Sequence, residues 1–463
     1  MPSVDILRTS RWSAGGLLLA LACGLLTFKP ALAAFVLIAA IGAMGLVLFR
    51  EKALVMLPLA LIFPLINYTP VPGIPGYLAC STLLVAMVGA LGLVNSRGSL
   101  RPLDWAVIAF LALHLPPTLV SLDPRVSFRV LFELAAAASL YFFLARGNMS
   151  KQYTRWWLWG LAVATAIVSL IGLMQFVTND VGFMSAFLDE SNAAERVTFG
   201  EEAAAKSIGF FRHANSLSLF LTLAVPAIAG FSASEQGRSR LLLWCAIGLG
   251  LLAELTTLSR GGLLSFLVAF FTFGLATRIT RKNTATPRKS VPWLIVLLAG
   301  GFFALSLQFG LLDVVIDRFL DQGFAGRDAG SNFTRLINLA AAFNAFTSNP
   351  FFGIGPGTSA SHFVKFGGFS GLGPHNLLLL LASERGLFVL TSFLGILAVT
   401  LITGLRKLGS TRSWILVGSL CSLVGILIHG LFESVLADVF LPLFFAMLGV
   451  ISQEIHRSGE AQT

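Results

Sequence analysis

Four ionisable residues stand where apolar runs of this sequence turn or end: Arg260, Arg335, His375 and Glu433. Arginine presents a rigid fork of donors that suits phosphate oxygens, and a neutral imidazole can take a proton near physiological pH. Two arginines and a histidine are therefore a set able to steady an anionic leaving group and to deprotonate an attacking hydroxyl. Each also has a plainer use. Arg260 could anchor a helix end by reaching to headgroups, and Arg335 could be a solvated charge on an amphipathic helix. His375 could cap the helix that follows it, and Glu433 could pair with a neighbouring arginine for stability. Arg129 and Glu133, four residues apart, read as such a pair within one helix.

The elements that must position these groups are spanning helices. Of 463 residues, 56% are hydrophobic and 12% charged, against about a quarter charged in an ordinary globular domain. Residues 31–49, 156–177 and 261–277 carry no charge at all, and each is close to the ~20 residues a helix needs to cross hydrocarbon. In lipid a lone segment must satisfy its own backbone groups, so these runs are helices. The net charge of +10 does not point to nucleic acid, because the basic residues are short punctuation between apolar runs. They cluster at Arg8 and Arg11, Arg50 and Lys52, Arg97 and Arg101, Arg146 to Arg155, Arg238 and Arg240, Arg278 to Lys289, Arg406 to Arg412, and Arg457. Two crossings fit between consecutive clusters, so all can face one side, the cytoplasm by the positive-inside bias. The expectation is an all-α integral membrane protein of about 12–14 transmembrane helices, one polytopic domain over 1–463 with both termini inside. Arg8, Arg11 and Ala31-Leu32-Ala33 imitate a signal peptide, but Lys29-Pro30 suits a tight turn between two spanning helices. Cys23, Cys80, Cys245 and Cys421 lie in or beside apolar runs without metal-ligand spacing and read as packed thiols.

Two stretches break the pattern of short turns, 178–211 and 310–374, and both fall on the outer side of this topology. The second begins with Asp313, Asp317, Arg318 and Asp321 and has helix-like spacing from Phe333 to Thr347. It then turns at Asn349-Pro350 and becomes rich in glycine. It reads as a partly helical outer cap ahead of the last three membrane segments. Counting places the chemistry at the same level. A helix of the ~38 residues from Arg240 to Arg278 would be ~57 Å long against ~30 Å of hydrocarbon, so the chain turns near Ser259 to Gly262. The same arithmetic from Arg412 to Arg457 puts a turn near Phe432-Glu433. Ionisable groups from distant segments then share one depth, where such groups are costly enough to suggest function.

Several segments in order resemble the O-antigen ligase and polymerase superfamily of bacterial envelopes. They are Thr257-Leu258-Ser259-Arg260-Gly261-Gly262, Asn332-Phe333-Thr334-Arg335-Leu336, Asn349-Pro350-Phe351-Phe352-Gly353-Ile354-Gly355-Pro356-Gly357, and Gly373-Pro374-His375-Asn376 followed by Glu384-Arg385-Gly386. Gly209 to Asn215, with Arg212 and Asn215, also resembles a family segment, and the likeness spans about 200–440. The resemblance implies a GT-C-like glycosyltransferase in the inner membrane with its site facing the periplasm. Its donor would be an undecaprenyl-diphosphate-linked glycan. The acceptor would be the lipid A core for a ligase, a second lipid-linked repeat unit for a polymerase, or protein for a related branch; the ligase reading comes first. On that reading Arg260 and Arg335 clamp the diphosphate and His375 is the general base of an inverting transfer. Arg212, Asn215, Asn376 and Glu433 are secondary candidates. No cofactor, metal or nucleic acid is expected, and no carboxylate spacing of the nucleotide-sugar and metal type occurs. The Gly-Ile-Gly-Pro-Gly run reads as a turn, since Pro356 lacks an N–H donor for a phosphate cradle. A transporter of lipid-linked glycan is the alternative from another class, disfavoured because transporters bind near the bilayer midplane.

Overall fold

The uncharged run at 156–177 becomes the body of a single helix, as do the other apolar runs within reach of a computed structural model. It describes residues 99–146, 150–180, 196–199, 202–211, 213–281, 329–371, 373–408, 413–434 and 440–460. The crossings expected within 1–98, the acidic start of the 310–374 stretch, Arg212 and Arg412 lie outside the described residues, so the total of 12–14 is not counted here.

The first described helices are α1 (Pro102–Leu113), a short α2 (Leu115–Leu119), α3 (Pro124–Arg146) and α4 (Ser150–Thr178). After α4 come two four-residue strands, β1 (Arg196–Phe199) and β2 (Glu202–Ala205), paired antiparallel with Arg196 opposite Ala205. This hairpin is a small addition to an architecture that is otherwise helical among the described residues, as the all-α expectation has it. It sits in the first long connection, outside the apolar runs from which the helices are read. Then follow α5 (Ala214–Ser232), α6 (Gly237–Thr256) and α7 (Arg260–Arg281). The second long connection carries α8 (Ala329–Ser348), α9 (Ser359–His362) and a 3-10 turn at Phe363–Phe366, so its described part is largely helical. The chain closes with α10 (Leu377–Leu408), α11 (Trp414–His429) and α12 (Phe440–Glu460).

Seven helical stretches among the described residues are long and apolar enough to cross a membrane, at Pro102–Leu119, Pro124–Arg146, Lys151–Thr178, Ala214–Ser232, Gly237–Thr256, Arg260–Arg278 and Leu377–Leu408. Helix α11 is apolar but shorter. The chain is a multi-pass membrane protein.

Helix α5 is central, with nearly every residue buried, and packs on α4, α6, α7 and α11. Its crossing with α11 is made at two glycines. A Cβ on Gly230 would lie 2.3 Å from the Trp414 carbonyl oxygen and 2.9 Å from the Gly418 Cα. Small residues at such a crossing let two backbones approach in a medium where helices gain little from hydrophobic burial. Around this core α12 packs on α3 and α11, and α8 packs on α10.

Helix α10 is interrupted at Gly386, where φ is 75° and ψ −177°. The Gly-rich run is inserted at this break: Ile354 N donates to Ser383 O (2.9 Å), Gly355 N to Glu384 O (2.8 Å) and Leu387 N to Pro350 O (2.8 Å). Gly357 N donates to Glu384 Oε2 at 2.8 Å. These N–H groups are engaged within the protein, so the run acts as a turn locked onto α10.

Candidate functional site

The turn between α6 and α7 and the turn after α11 meet at one end of the bundle. Helix α6 stops at Thr256 and α7 starts at Arg260, so Ser259 stands at the base of α7, where its Oγ accepts from Gly262 N at 3.2 Å. The same hydroxyl donates to Asn215 Oδ1 at 2.8 Å. Asn215, in the first turn of α5, donates from Nδ2 to Glu433 Oε2 at 2.9 Å. The other carboxylate oxygen, Oε1, meets His375 Nδ1 at 2.7 Å and accepts from Ser434 N at 3.2 Å. A chain of hydrogen bonds thus joins four separate segments, from Ser259 through Asn215 and Glu433 to His375.

His375 is held in a conformation that its sequence does not favour. Its φ is 45°, the left-handed region, which costs a residue with a Cβ about 1–2 kcal/mol. Such strain persists only where the surroundings over-determine it. Here buried Pro374 precedes it, and Asn376 follows it with two anchors. Asn376 Oδ1 accepts from Leu379 N at 3.0 Å and its Nδ2 donates to Leu431 O at 3.1 Å. Leu377 N also donates to Gly430 O at 2.6 Å. The cap of α10 is therefore Asn376, and the same residue ties the start of α10 to the end of α11, which aims His375 at Glu433.

The ring and carboxylate are about a quarter and a fifth exposed. Burial pushes the Glu433 carboxyl up, but the hydrogen bond and charge of His375 and the donations from Asn215 and Ser434 outweigh it and hold the group down at about 2. A neutral imidazole donating from Nδ1 to this carboxylate carries its lone pair on Nε2. No described residue occupies that nitrogen. The arrangement fixes a tautomer suited to accepting a proton, with the carboxylate placed to stabilise the imidazolium that results.

Of the residues singled out from sequence, the structure joins His375, Glu433 and Asn215 directly and gives Asn376 a positioning role. Glu433 pairs with a histidine and an asparagine in place of the arginine weighed for it. Arg260 is the first residue of α7, next to Ser259, and the Gly261 backbone packs on Phe432. Arg335 lies on α8, one turn before Asn338, which accepts from Phe369 N at 2.8 Å in the loop leading to His375. Arg335 is not hydrogen-bonded to the network. Arg129 and Glu133 do pair, at 3.7 Å, and of the described cysteines Cys421 is buried whereas Cys245 is exposed. Sequence reasoning did not single out Ser259, although it stands inside a quoted motif. It also gave no role to Glu384, whose Oε1 accepts from Ser359 N at 3.1 Å and so ties the start of α9 to α10.

A multi-pass membrane protein with a histidine–carboxylate pair at one end of its bundle is the class that fold and site define. Residues 245–394 match the O-antigen ligase family model, and over that stretch the chain is O-antigen ligase-like. The match takes in Ser259, Arg260, Arg335, His375 and Asn376, while Asn215 and Glu433 lie outside it. No curated protein matches the chain.

Proposed function

We propose that this protein is a glycosyltransferase that moves a glycan from an undecaprenyl-diphosphate carrier to an acceptor hydroxyl on the periplasmic side of the bacterial inner membrane, with the lipid A core as acceptor. The observation that carries the reading is the His375 Nδ1 to Glu433 Oε1 contact of 2.7 Å, which leaves Nε2 open as a base. In the transfer, Nε2 takes the proton of the acceptor hydroxyl while that oxygen bonds to the anomeric carbon. The bond from that carbon to the diphosphate oxygen breaks on the opposite face, so the configuration inverts. Charge gathers on the departing lipid diphosphate, and arginine forks at Arg260 and Arg335 are suited to meet it. The likeness over residues 245–394 supports the envelope-glycan setting, and a GT-C-like architecture accords with the many apolar helices. A polymerase that uses a second lipid-linked repeat unit is the second reading, since it needs the same donor chemistry and the family likeness covers it.

The test is transfer by the purified full chain in liposomes from a synthetic undecaprenyl-diphosphate-linked glycan, offered either lipid A core or a second lipid-linked unit. His375→Ala should lose about 100 to 10,000-fold in turnover and still bind the donor. Wild-type turnover in that variant would remove the base from His375, and a product formed only with the second lipid-linked unit would replace ligase by polymerase.

A further inference from the structure

The break in α10 holds a cation that the proposed reaction does not use. Arg385 directly precedes Gly386 and is 6% exposed. A guanidinium does not deprotonate in proteins, so burial cannot be relieved by neutralising it. Its Nε is a buried donor with no acceptor, and no described residue closes a hydrogen bond or an ion pair with the rest of the group. The adjacent carboxylate acts on it through space, but Glu384 spends its two oxygens on Gly357 N and Ser359 N.

A second unpartnered nitrogen lies where α1 and α2 pack against α10, within electrostatic reach of Arg385. His114, at the junction of α1 and α2, is fully buried. Its Nδ1 is bonded to the Phe110 carbonyl oxygen at 2.7 Å, which leaves the lone pair on Nε2, and Nε2 is buried without a partner. One side of this place thus offers positive charge and N–H donors, the other an acceptor for an O–H.

The surroundings say what kind of molecule brings such a group. The 22 residues from Leu387 to Leu408 span ~33 Å as a helix, close to the ~30 Å of hydrocarbon, so the break stands at its edge, at headgroup depth. Phe351, Phe352, Leu387 and Phe388 are exposed there, with the Phe351 and Phe388 rings stacked at 5.8 Å. An apolar surface beside a buried cation at that depth suits a phosphate attached to acyl chains.

We propose that Arg385 and His114 form a second anion site, separate from the His375 end of α10, that takes a phosphate carrying or adjoining a free hydroxyl. The guanidinium donates to the phosphate oxygens and His114 Nε2 accepts a hydrogen bond from the hydroxyl. A phospholipid headgroup and free phosphate share this chemistry.

The test is thermal unfolding of the delipidated full chain in non-ionic detergent, titrated with phosphatidylglycerol, phosphatidylcholine or inorganic phosphate. A ligand that binds only the folded state raises Tm with its concentration. Wild type should respond to phosphatidylglycerol and not to phosphatidylcholine. Arg385→Gln should lose the response, His114→Gln should weaken it, and Arg260→Ala should keep it. A response to inorganic phosphate as well means that the free ion suffices, whereas a response to phosphatidylglycerol alone assigns the site to a headgroup. Should Arg385→Gln fail to fold, Arg385→Lys and His114→Gln carry the test by native mass spectrometry, with loss of one bound phosphatidylglycerol per chain expected. No response in wild type, or an undiminished one in the Arg385 variants, overturns the proposal.

Discussion

Two carboxylates with three donors each stand at opposite ends of the bundle. Asp104, fully buried at the start of α1, accepts from Arg146 Nη1 at 2.6 Å, from Tyr141 OH at 2.6 Å and from its neighbour Arg101 N at 2.8 Å. Arg146 is itself tied to Ser99 O at 3.0 Å. Glu433 accepts from Asn215 and Ser434 N and meets His375. The partners set them apart. Arginine is a donor only, and the Asp104 cluster is sealed, so it joins α1 to α3 and exchanges nothing. Histidine has a second nitrogen, and the Glu433 cluster ends on it at a partly open surface. A polar network becomes a site when one member keeps an unused valence that a substrate can reach.

The largest effect is expected at the sealed end. Asp104→Asn removes the carboxylate that Arg146 pairs with at 2.6 Å, and removing one partner of a buried pair costs about 3–5 kcal/mol. Tm and the yield of folded protein should fall while turnover per folded molecule stays at the wild-type value. Lost turnover with unchanged Tm would make Asp104 part of the chemistry. At the open end, Arg260→Ala and Arg335→Ala should each lower turnover about 100 to 1,000-fold with little change in Tm, and Lys should restore little because a point charge lacks the paired donors. Full activity in Arg335→Ala would exclude that residue, which the structure leaves apart from the network.

A smaller effect belongs to Glu433. Glu433→Gln keeps the shape and a hydrogen bond but loses the charge that stabilises an imidazolium, so turnover should fall. The loss should fall on kcat and leave KM for the donor near its wild-type value. An equal loss in KM alone would make the carboxylate a substrate ligand.

The level at which these groups meet was legible in sequence; their pairings were not. Counting residues between basic clusters put turns near Ser259 to Gly262 and at Phe432-Glu433, and the helix ends at Thr256, Arg260 and His429 agree. Span length is set by the bilayer and needs only composition to read. Which side chain faces which depends on the rotation of each helix and on local backbone. The positive φ of His375 turns its ring to Glu433, and nothing in Gly373-Pro374-His375-Asn376 announces it. Asn376, a capping residue type, leaves a clearer trace, because an Asn before the apolar run at Leu377 is an ordinary N-cap signal. The unpartnered Nε of Arg385 and Nε2 of His114 were beyond sequence, since they concern what is missing around two groups 271 positions apart, from 114 to 385.

The least effect is expected from mild acid on the Glu433 carboxylate itself, and its constancy is informative. The folded-state value of about 2 lies below the ordinary 4.5 of a free glutamate, so the group binds its proton less readily when folded. Its contribution to stability is therefore complete above about 4.5 and is lost as pH falls through about 2. Between pH 8 and pH 5 it stays ionised, so its stabilising effect does not change. An ordinary histidine titrates in that window, so a fall of kcat on acidification there reports on an imidazole. The measurement is a pH–rate profile of wild type, His375→Gln and Asn215→Ala with the same lipid-linked donor. Wild type and Asn215→Ala should lose rate toward pH 5, the asparagine variant being slower by only a few fold. The residual rate of His375→Gln should be flat over the same range. An acid limb that survives in His375→Gln would assign the titrating group elsewhere and leave His375 an orienting residue.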